Sequence, residues 1–163
     1  MPVKNKAVFL DRDGVLNQEM GDYVRRLEDF HILDNFNALK TLQDKGYLLI
    51  VATNQGGLAK GWYTKAEMEV MHTQLKDAYK EHGVEFTDIY YCQHHPDYTG
   101  PCDCRKPKPG LLLQGIEKYN IDPELSYFIG DNDRDILAGT AAGVKGILIK
   151  SDQPISTVLS LID

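Results

Sequence analysis

Two aspartates placed two positions apart, Asp11 and Asp13, are the residues of this sequence best suited to perform chemistry. They follow an apolar run at residues 6–10 that is short enough to be a buried strand, and they precede Gly14, which allows a sharp turn. Open α/β sheets place their chemistry where strands end in this way. One carboxylate could act as a nucleophile and the other as a general acid/base, beside a divalent metal. An acidic turn in solvent is the alternative that this segment alone leaves open.

A second polar segment, Thr53-Asn54-Gln55-Gly56-Gly57, follows the apolar run at residues 47–52. If that run is also a strand, these residues lie at the same sheet edge as the two aspartates. A hydroxyl, an amide and exposed backbone N–H groups together can cradle a phosphate. An ordinary turn is the alternative for this segment.

A third segment, Gly130-Asp131-Asn132-Asp133-Arg134-Asp135, follows a further apolar run. The carboxylate of Asp131 is well placed to bind Mg²⁺, which takes oxygen ligands and few of them from protein. Asp133 and Asp135 have a simpler interpretation as caps of the helix that follows.

All three cysteines of the chain lie in a fourth segment, together with histidine. Three thiolates and one imidazole, from Cys92, His94, Cys102 and Cys104, form the ligand set of a closed tetrahedral zinc site. A disulfide would leave an odd thiol and is uncommon in the cytosol. With four protein ligands no position is open for water, so we expect a structural zinc ion. We expect His95 to be a loop histidine rather than a ligand.

Two adjacent cations, Arg105 and Lys106, come directly after this segment and before Pro107. A loop held by zinc and prolines could place both cations over the sheet edge, where they would meet a phosphoryl group. A solvated basic loop is the alternative.

Composition excludes several classes of protein. The 163 residues are 42% hydrophobic and 26% charged, as expected for one globular domain spanning residues 1–163. A net charge of −6 argues against nucleic acid as a partner. The apolar runs are too short to cross a membrane, and the first residues lack the apolar stretch of a signal peptide. We therefore expect a cytoplasmic protein without membrane or nucleic-acid partners. We also expect a monomer, which does not follow from composition.

Strands and helices are predicted to alternate along the chain. Apolar runs predict strands at 7–10, 47–52, 88–92, 127–129 and 146–149, and helical patterns predict helices at 34–45, 64–81, 109–119, 133–142 and 155–161. Thr64 and Glu67 have the spacing of a capping box at the start of the second helix. This alternation predicts an α/β fold with a single doubly wound, mostly parallel sheet.

Together these segments resemble the four motifs of the haloacid dehalogenase (HAD) superfamily of phosphatases, in the same order: Asp11-x-Asp13-Gly-Val, Thr53, Lys106 and Gly130-Asp131 with Asp135. The run Cys-Asp-Cys-Arg-Lys-Pro at 102–107 is similar to the D-glycero-D-manno-heptose-1,7-bisphosphate 7-phosphatase subfamily, with histidinol-phosphate phosphatases as relatives. The resemblance covers nearly the whole chain. It implies a Rossmann-like HAD core without a large cap domain, carrying a zinc loop at 92–104.

The resemblance also implies roles for individual residues. Asp11 would be the nucleophile that forms an aspartyl-phosphate, and Asp13 the acid that protonates the leaving alkoxide and the base that then activates water. Thr53 and Lys106 would stabilise the transferring phosphoryl group. Mg²⁺ would be bound by Asp11, the backbone carbonyl of Asp13 and Asp131, and structural Zn²⁺ by the cysteine and histidine ligands named above. The residues implied in substrate binding are Glu19, Met20, Gly21, Asp22, Tyr23, Asn54, Gln55, Gly56, Arg105 and Asn132.

The implied activity is Mg²⁺-dependent removal of the 7-phosphate of heptose 1,7-bisphosphate, in the supply of ADP- or GDP-heptose for lipopolysaccharide or surface glycans. The sequence departs from the subfamily at Asn132, where a lysine is common, and in a shorter 94–102 segment. Both departures bear on which sugar phosphate is bound. A histidinol-phosphate or broader sugar-phosphate phosphatase is one alternative. An inactive phosphate- or zinc-binding module is another, although the four residues whose loss would mark it, Asp11, Asp13, Lys106 and Asp131, are all present.

Overall fold

Five parallel strands form the centre of the structure, a computed structural model that describes residues 3–162. The strands are β1 (Lys6–Leu10), β2 (Tyr47–Asn54), β3 (Asp88–Cys92), β4 (Tyr127–Gly130) and β5 (Lys145–Leu148), in the spatial order β3-β2-β1-β4-β5. The order of the strands reverses between β1 and β4, since β1 pairs with both β2 and β4. Open α/β sheets bind their ligands at such a reversal, beyond the carboxyl ends of the strands.

Helices cover both faces of this sheet. They are α1 (Phe36–Asp44), α2 (Lys65–Lys80), the four-residue α3 (Pro96–Thr99), α4 (Gly110–Lys118) and α5 (Asp133–Ala142). Successive residues of β1 point to opposite faces, as the strand geometry requires. Val8 and Leu10 pack into one core with α1 and α2, while Ala7 and Phe9 pack into a second core with α4 and α5. The predicted doubly wound parallel fold is thereby confirmed.

Most predicted elements lie within two residues of their observed bounds, and the capping box at the start of α2 is formed. The predicted last helix is wrong in type, because Ile155–Leu161 is a 3-10 helix. Its buried residues Ile155 and Val158 are three positions apart, which matches three residues per turn. The second strand continues to Asn54, so Thr53 and Asn54 belong to β2 and pair with β3 instead of following the strand.

Three short elements were not predicted from the sequence: α3 and two 3-10 turns at Leu27–Asp29 and Pro123–Leu125. Among residues 3–162, no helix combines the length and the apolar character needed to cross a membrane.

Candidate active site

Asp11 lies directly beyond β1, where the strand order reverses. Its backbone N–H donates to the carbonyl of Ile129 at 3.1 Å, which ties the end of β1 to β4. The residue is only 8% exposed, and one carboxylate oxygen, Oδ1, accepts a hydrogen bond from the backbone N–H of Arg12 at 2.8 Å. The same oxygen lies 3.0 Å from Nζ of Lys106. The sheet therefore places a buried carboxylate against a buried cation.

The ammonium group of Lys106 has three acceptors around it. Nζ donates to the carbonyl of Ala52 at 2.9 Å and lies 3.0 Å from Asp11 Oδ1 and 2.7 Å from Asp135 Oδ1. Burial alone would lower the pKa of Lys106, but the two carboxylates raise it above its usual value. Lys106 is therefore a fixed positive charge beside Asp11.

Asn54, at the end of β2, holds the backbone of Lys106 in place. Its side-chain oxygen accepts from the Lys106 backbone N–H at 3.0 Å, and its amide group donates to the Lys106 carbonyl at 3.2 Å. This paired contact joins residues that are 52 positions apart. Asn54 was predicted to bind substrate, and the structure places it both at the cavity wall and against the backbone of Lys106.

Three carboxylates crowd this point of the sheet. The side chains of Asp11, Asp131 and Asp135 each offer an oxygen within 4.8 Å of the others. Burial, the strongest effect, together with Asp135 and Asp13, raises the pKa of Asp11 to about 7 although Lys106 acts in the opposite direction. Burial also raises the pKa of Asp131.

This donor set fits a hard divalent cation. Carboxylate oxygens are the ligands that Mg²⁺ takes from proteins, and the charge of the cation would relieve the repulsion among the three acids. The backbone makes room at this point, since Gly14 has φ +83° and a Cβ there would overlap Oδ2 of Asp131. Ser151 donates to that same oxygen at 2.7 Å and orients it.

Four hydrogen bonds hold the carboxylate of Asp13, three of them at one oxygen. Its Oδ1 accepts from Nε of Arg12 at 3.1 Å, from Nη2 of Arg12 at 2.8 Å and from the amide of Asn17 at 2.8 Å. Its Oδ2 accepts from the amide of Gln55 at 3.3 Å. Burial alone would raise the pKa of Asp13, but the Arg12 guanidinium and these hydrogen bonds outweigh it and lower the pKa. Asp13 is therefore ionised in this state.

A cavity of about 430 Å³ opens above these groups. Most of the residues predicted for catalysis and substrate binding line it, together with two further cations, Lys60 and Arg134 of α5. The predicted residues that line it are Asp11, Asp13, Glu19, Gly21, Asp22, Tyr23, Thr53, Asn54, Arg105, Lys106, Asp131 and Asn132, and the additional ones are Lys60, His95, Arg134 and Ser151.

Three residues predicted to bind substrate do not line this cavity. Met20 is 43% exposed and borders a neighbouring depression beside Trp62, because the loop turns its side chain away from the sheet edge. Gln55 is fully buried and donates to Thr53 Oγ1 at 3.0 Å as well as to Asp13. Gly56 lies beneath the cavity wall, since a Cβ there would come within 2.9 Å of the Arg105 guanidinium and the Tyr23 hydroxyl.

The predicted zinc ligands form a second cluster, to which His94 contributes its ring atom Nδ1. The three cysteines of the cluster form no disulfide. Separations of 3.3–3.7 Å join His94 Nδ1 to Cys92 and Cys104 Sγ, and Cys102 Sγ to both of these sulfurs. Zinc bonds of about 2.3 Å to sulfur and 2.0–2.1 Å to nitrogen give tetrahedral edges of about this length. Cys92 and Cys104 are closer, at 2.7 Å. The donor set fits zinc, and His95 lies outside it.

The cluster is joined to the cavity through Arg105, which directly follows its last cysteine. Nη1 of Arg105 donates to the backbone carbonyl of His94 at 3.2 Å. Arg105 forms no ion pair with any residue between 3 and 162. Its charge is therefore available to an anion in the cavity.

Sequence reasoning assigned no role in the site to two of its fully buried residues. Asp135 was interpreted as a helix cap, and it does accept from the backbone N–H of Asn132 at 3.2 Å, but it also pairs with Lys106. The resemblance offered a signal, since Asp135 stands in its fourth motif, and in the structure a Cβ at Gly130 of the same motif would overlap the Asp135 carboxylate. Arg12 gave no such signal, because a charged residue in an acidic turn is normally exposed.

Comparison with known proteins identifies relatives along nearly the whole chain. The family model described as HAD-hydrolase-like matches residues 103–157. D-glycero-β-D-manno-heptose-1,7-bisphosphate 7-phosphatase from Pasteurella multocida is 43% identical over 157 residues, covering 93% of this chain and 85% of that protein. The α-anomer enzyme from Photorhabdus laumondii is 40% identical over 160 residues, covering 94% and 87%.

A solved structure shows the same similarity. It is D,D-heptose 1,7-bisphosphate phosphatase from B. bronchiseptica complexed with magnesium and phosphate, with a TM-score of 0.83 and 30% identity, covering 96% of this chain and 86% of that one. The relatives, the fold and the four motifs all indicate the same family. The chain belongs to the HAD-type D-glycero-D-manno-heptose-1,7-bisphosphate 7-phosphatase family and is a phosphoric monoester hydrolase.

Proposed function

We propose that this enzyme removes the 7-phosphate of D-glycero-D-manno-heptose 1,7-bisphosphate in a Mg²⁺-dependent reaction, through an aspartyl-phosphate on Asp11. The observation that carries the proposal is the placement of Asp11 against Lys106 at the floor of a cavity with further cations in its wall. Relatives that are named for this substrate, and that align with more than 90% of this chain, support the proposal.

Asp11 attacks phosphorus, and the bond from phosphorus to the sugar oxygen breaks as the bond to the carboxylate forms. The phosphoryl group spreads its negative charge over its equatorial oxygens in the transition state. Lys106, fixed beside Asp11 by Ala52 and Asp135, meets that charge without having to move. Thr53 lies at the same strand end and offers its hydroxyl to the same group.

Asp13 serves as the acid and base of the two steps. It gives a proton to the departing sugar oxygen and takes one from the water that hydrolyses the aspartyl-phosphate. Its lowered pKa keeps Asp13 ionised in the free enzyme, and the ionised form is the one that accepts a proton in the second of these steps. For the first, the negative charge of the bound phosphoryl group disfavours a second anion nearby and raises the affinity of Asp13 for a proton.

Two metal ions complete the proposal. Asp11, Asp131 and the backbone carbonyl of Asp13 would hold Mg²⁺, which supplies positive charge to the phosphoryl oxygens. Cys92, His94, Cys102 and Cys104 would hold Zn²⁺, which leaves no ligand position for water and orders the loop before Arg105. The magnesium and phosphate bound to the relative from B. bronchiseptica support the first assignment.

The outer part of the cavity would bind the sugar and its second phosphate. The side chains of Glu19, Asp22 and Tyr23 form one wall, and Arg105 contributes a cation without a carboxylate partner among residues 3–162. This assignment places the enzyme in the supply of nucleotide-activated heptose for surface glycans, a cytoplasmic process.

Phosphate release from a panel of substrates tests the proposal. We expect both anomers of heptose 1,7-bisphosphate, assayed with Mg²⁺, to be hydrolysed with a higher kcat/KM than histidinol phosphate or fructose 1,6-bisphosphate. Product analysis should show that the 1-phosphate remains. A preference for histidinol phosphate, or equal activity on all substrates, would overturn the substrate assignment.

A further inference from the structure

Arg12 supports Asp13 from inside the protein. Its side chain is fully buried, and two of its nitrogens, Nε and Nη2, donate to a single oxygen of Asp13, Oδ1. The third guanidinium nitrogen, Nη1, lies 3.1 Å from Nε2 of His72. His72 is on α2, 60 residues along the chain, and its side chain is only 5% exposed.

The chemistry of this contact fixes the state of the imidazole. A guanidinium can only donate hydrogen bonds, so Nε2 of His72 has to accept, and the ring is neutral with its proton on Nδ1. Burial, and then the charge of Arg12, lower the pKa of His72 to about 3, while Lys76 acts in the same direction and Asp13 in the opposite one. His72 is therefore a neutral acceptor placed behind a cation.

We infer that His72 is a positioning residue for the acid and base step: by accepting from Nη1 of Arg12 it keeps the opposite edge of the guanidinium on Asp13 Oδ1. Asp13 Oδ2, which accepts only a 3.3 Å hydrogen bond among residues 3–162, is then the oxygen left for proton transfer. The inference rests on the proposed role of Asp13. A histidine that merely packed α2 against the sheet would need no acceptor aimed at Arg12.

The test compares a leaving group that needs a proton with one that does not. We expect His72→Phe, which keeps a ring but no acceptor, to lower kcat/KM for heptose bisphosphate about tenfold or more, part of the 10²–10⁴ that general acids contribute. The value for p-nitrophenyl phosphate, whose phenolate leaves without a proton, should change by no more than about threefold. kcat/KM reports the steps up to departure of the leaving group, so hydrolysis of the aspartyl-phosphate does not enter.

His72→Gln is the matched control, because its amide oxygen can accept from Arg12 and should restore the bisphosphate activity. Equal losses on both substrates, no loss on either, or no restoration by glutamine would overturn the inference. Asp13→Asn, assayed alongside, must show the same difference between substrates. If it does not, the acid role of Asp13 in the proposed function fails; if only His72→Phe lacks the difference, this inference alone fails.

The protonation of the His72 ring can be measured on the wild-type enzyme, so this test does not require a folded variant. Long-range ¹H–¹⁵N spectra distinguish a protonated ring nitrogen from an acceptor. We expect His72 to carry its proton on Nδ1 and to present Nε2 as the acceptor near neutral pH. A proton on Nε2 would show that the contact with Arg12 is not a hydrogen bond and would overturn the inference.

Discussion

The two clusters of candidate metal ligands in this enzyme are assembled in opposite ways. The cysteine and histidine side chains all come from one short segment, residues 92–104, which begins at the last residue of β3, so proximity in sequence brings them together. The carboxylate cluster draws Asp11 from the end of β1 and Asp131 and Asp135 from beyond β4, and its cation, Lys106, from another loop. Only the order of the strands brings these four side chains to one point.

The two clusters also differ in burial. Asp135 and Lys106 are almost completely buried, whereas in the cysteine cluster only Cys92 is, and Cys102 and Cys104 are half-buried at the edge of the second core. Charges in the interior interact strongly and are poorly screened by solvent. The carboxylate cluster is therefore suited to chemistry, and the cysteine cluster, with four protein ligands, to holding a loop.

The largest effect should follow from removal of the proposed nucleophile, Asp11. Asp11→Asn keeps the size of the side chain but not its attacking charge, so phosphatase activity with Mg²⁺ should fall by at least about a thousandfold. Because the cysteine cluster is assembled separately, zinc content by elemental analysis should not change. Near wild-type hydrolysis by this variant would exclude the covalent mechanism.

The next largest effect should come from the buried partner of Lys106. Asp135→Asn leaves the ammonium of Lys106 with one carboxylate partner fewer. Breaking a buried ion pair costs about 3–5 kcal/mol. Because Asp11 remains as a partner, we expect the free energy of unfolding to fall by an amount near the lower end of that range. Urea unfolding measures the change in free energy.

Asp133→Asn is the matched control for this prediction. Asp133 lies in the same first turn of α5 but is exposed, so its loss should alter stability by no more than about 0.5 kcal/mol. Both substitutions remove one negative charge from the same helix N-terminus. Equal effects would mean that the Asp135–Lys106 pair contributes nothing beyond the helix dipole.

Adjacent histidines test the zinc cluster. His94→Asn removes a ligand from a site whose binding free energy is on the order of 10 kcal/mol, so zinc content should fall well below one ion per chain. Activity should fall by up to about a hundredfold, because misplacement of the loop before Lys106 by about 1 Å has that effect.

His95→Asn should keep its zinc, because His95 lies outside the cluster and asparagine can also accept the hydrogen bond from the Asp97 N–H. The comparison is made on protein purified without chelator. If the wild-type enzyme contains no zinc, or if both variants lose it, the ligand assignment is wrong.

The sequence predicts elements whose signals are local. The apolar runs and the Thr64 capping box were sufficient for the strands and for α2, and the spacing of cysteines was sufficient for the second cluster. The last helix was predicted with the wrong type because a short apolar segment fits both a 3.6- and a three-residue period.

The roles of residues whose partners are distant in sequence could not be predicted from local sequence patterns. The buried guanidinium of Arg12 contacts His72, 60 positions away, and Asp135 pairs with Lys106 from the loop after Cys104. No local pattern contains those separations. Substrate-loop residues such as Met20 were also poorly predicted, because a loop has no periodicity to show which way its side chains point.

The smallest expected effect concerns the link between the two clusters. Arg105 donates to the His94 carbonyl in the cysteine-rich segment and faces the cavity, whereas Lys106 is fixed at Asp11. If Arg105 holds the second phosphate, Arg105→Ala should raise KM for heptose bisphosphate by roughly tenfold to a hundredfold, the equivalent of a charged hydrogen bond of about 1.5–3 kcal/mol.

The substrate comparison decides what Arg105 does. An aryl phosphate has no second phosphate, so its hydrolysis by Arg105→Ala should change little, and kcat for the bisphosphate should be nearly preserved because the contact is the same before and during reaction. Arg105→Lys should give an intermediate KM, since an ammonium keeps the charge but not the two parallel donors of a guanidinium. Equal losses on both substrates would instead place Arg105 at the phosphoryl-transfer site with Lys106, and the cavity wall would then lose its best candidate for recognising a bisphosphate.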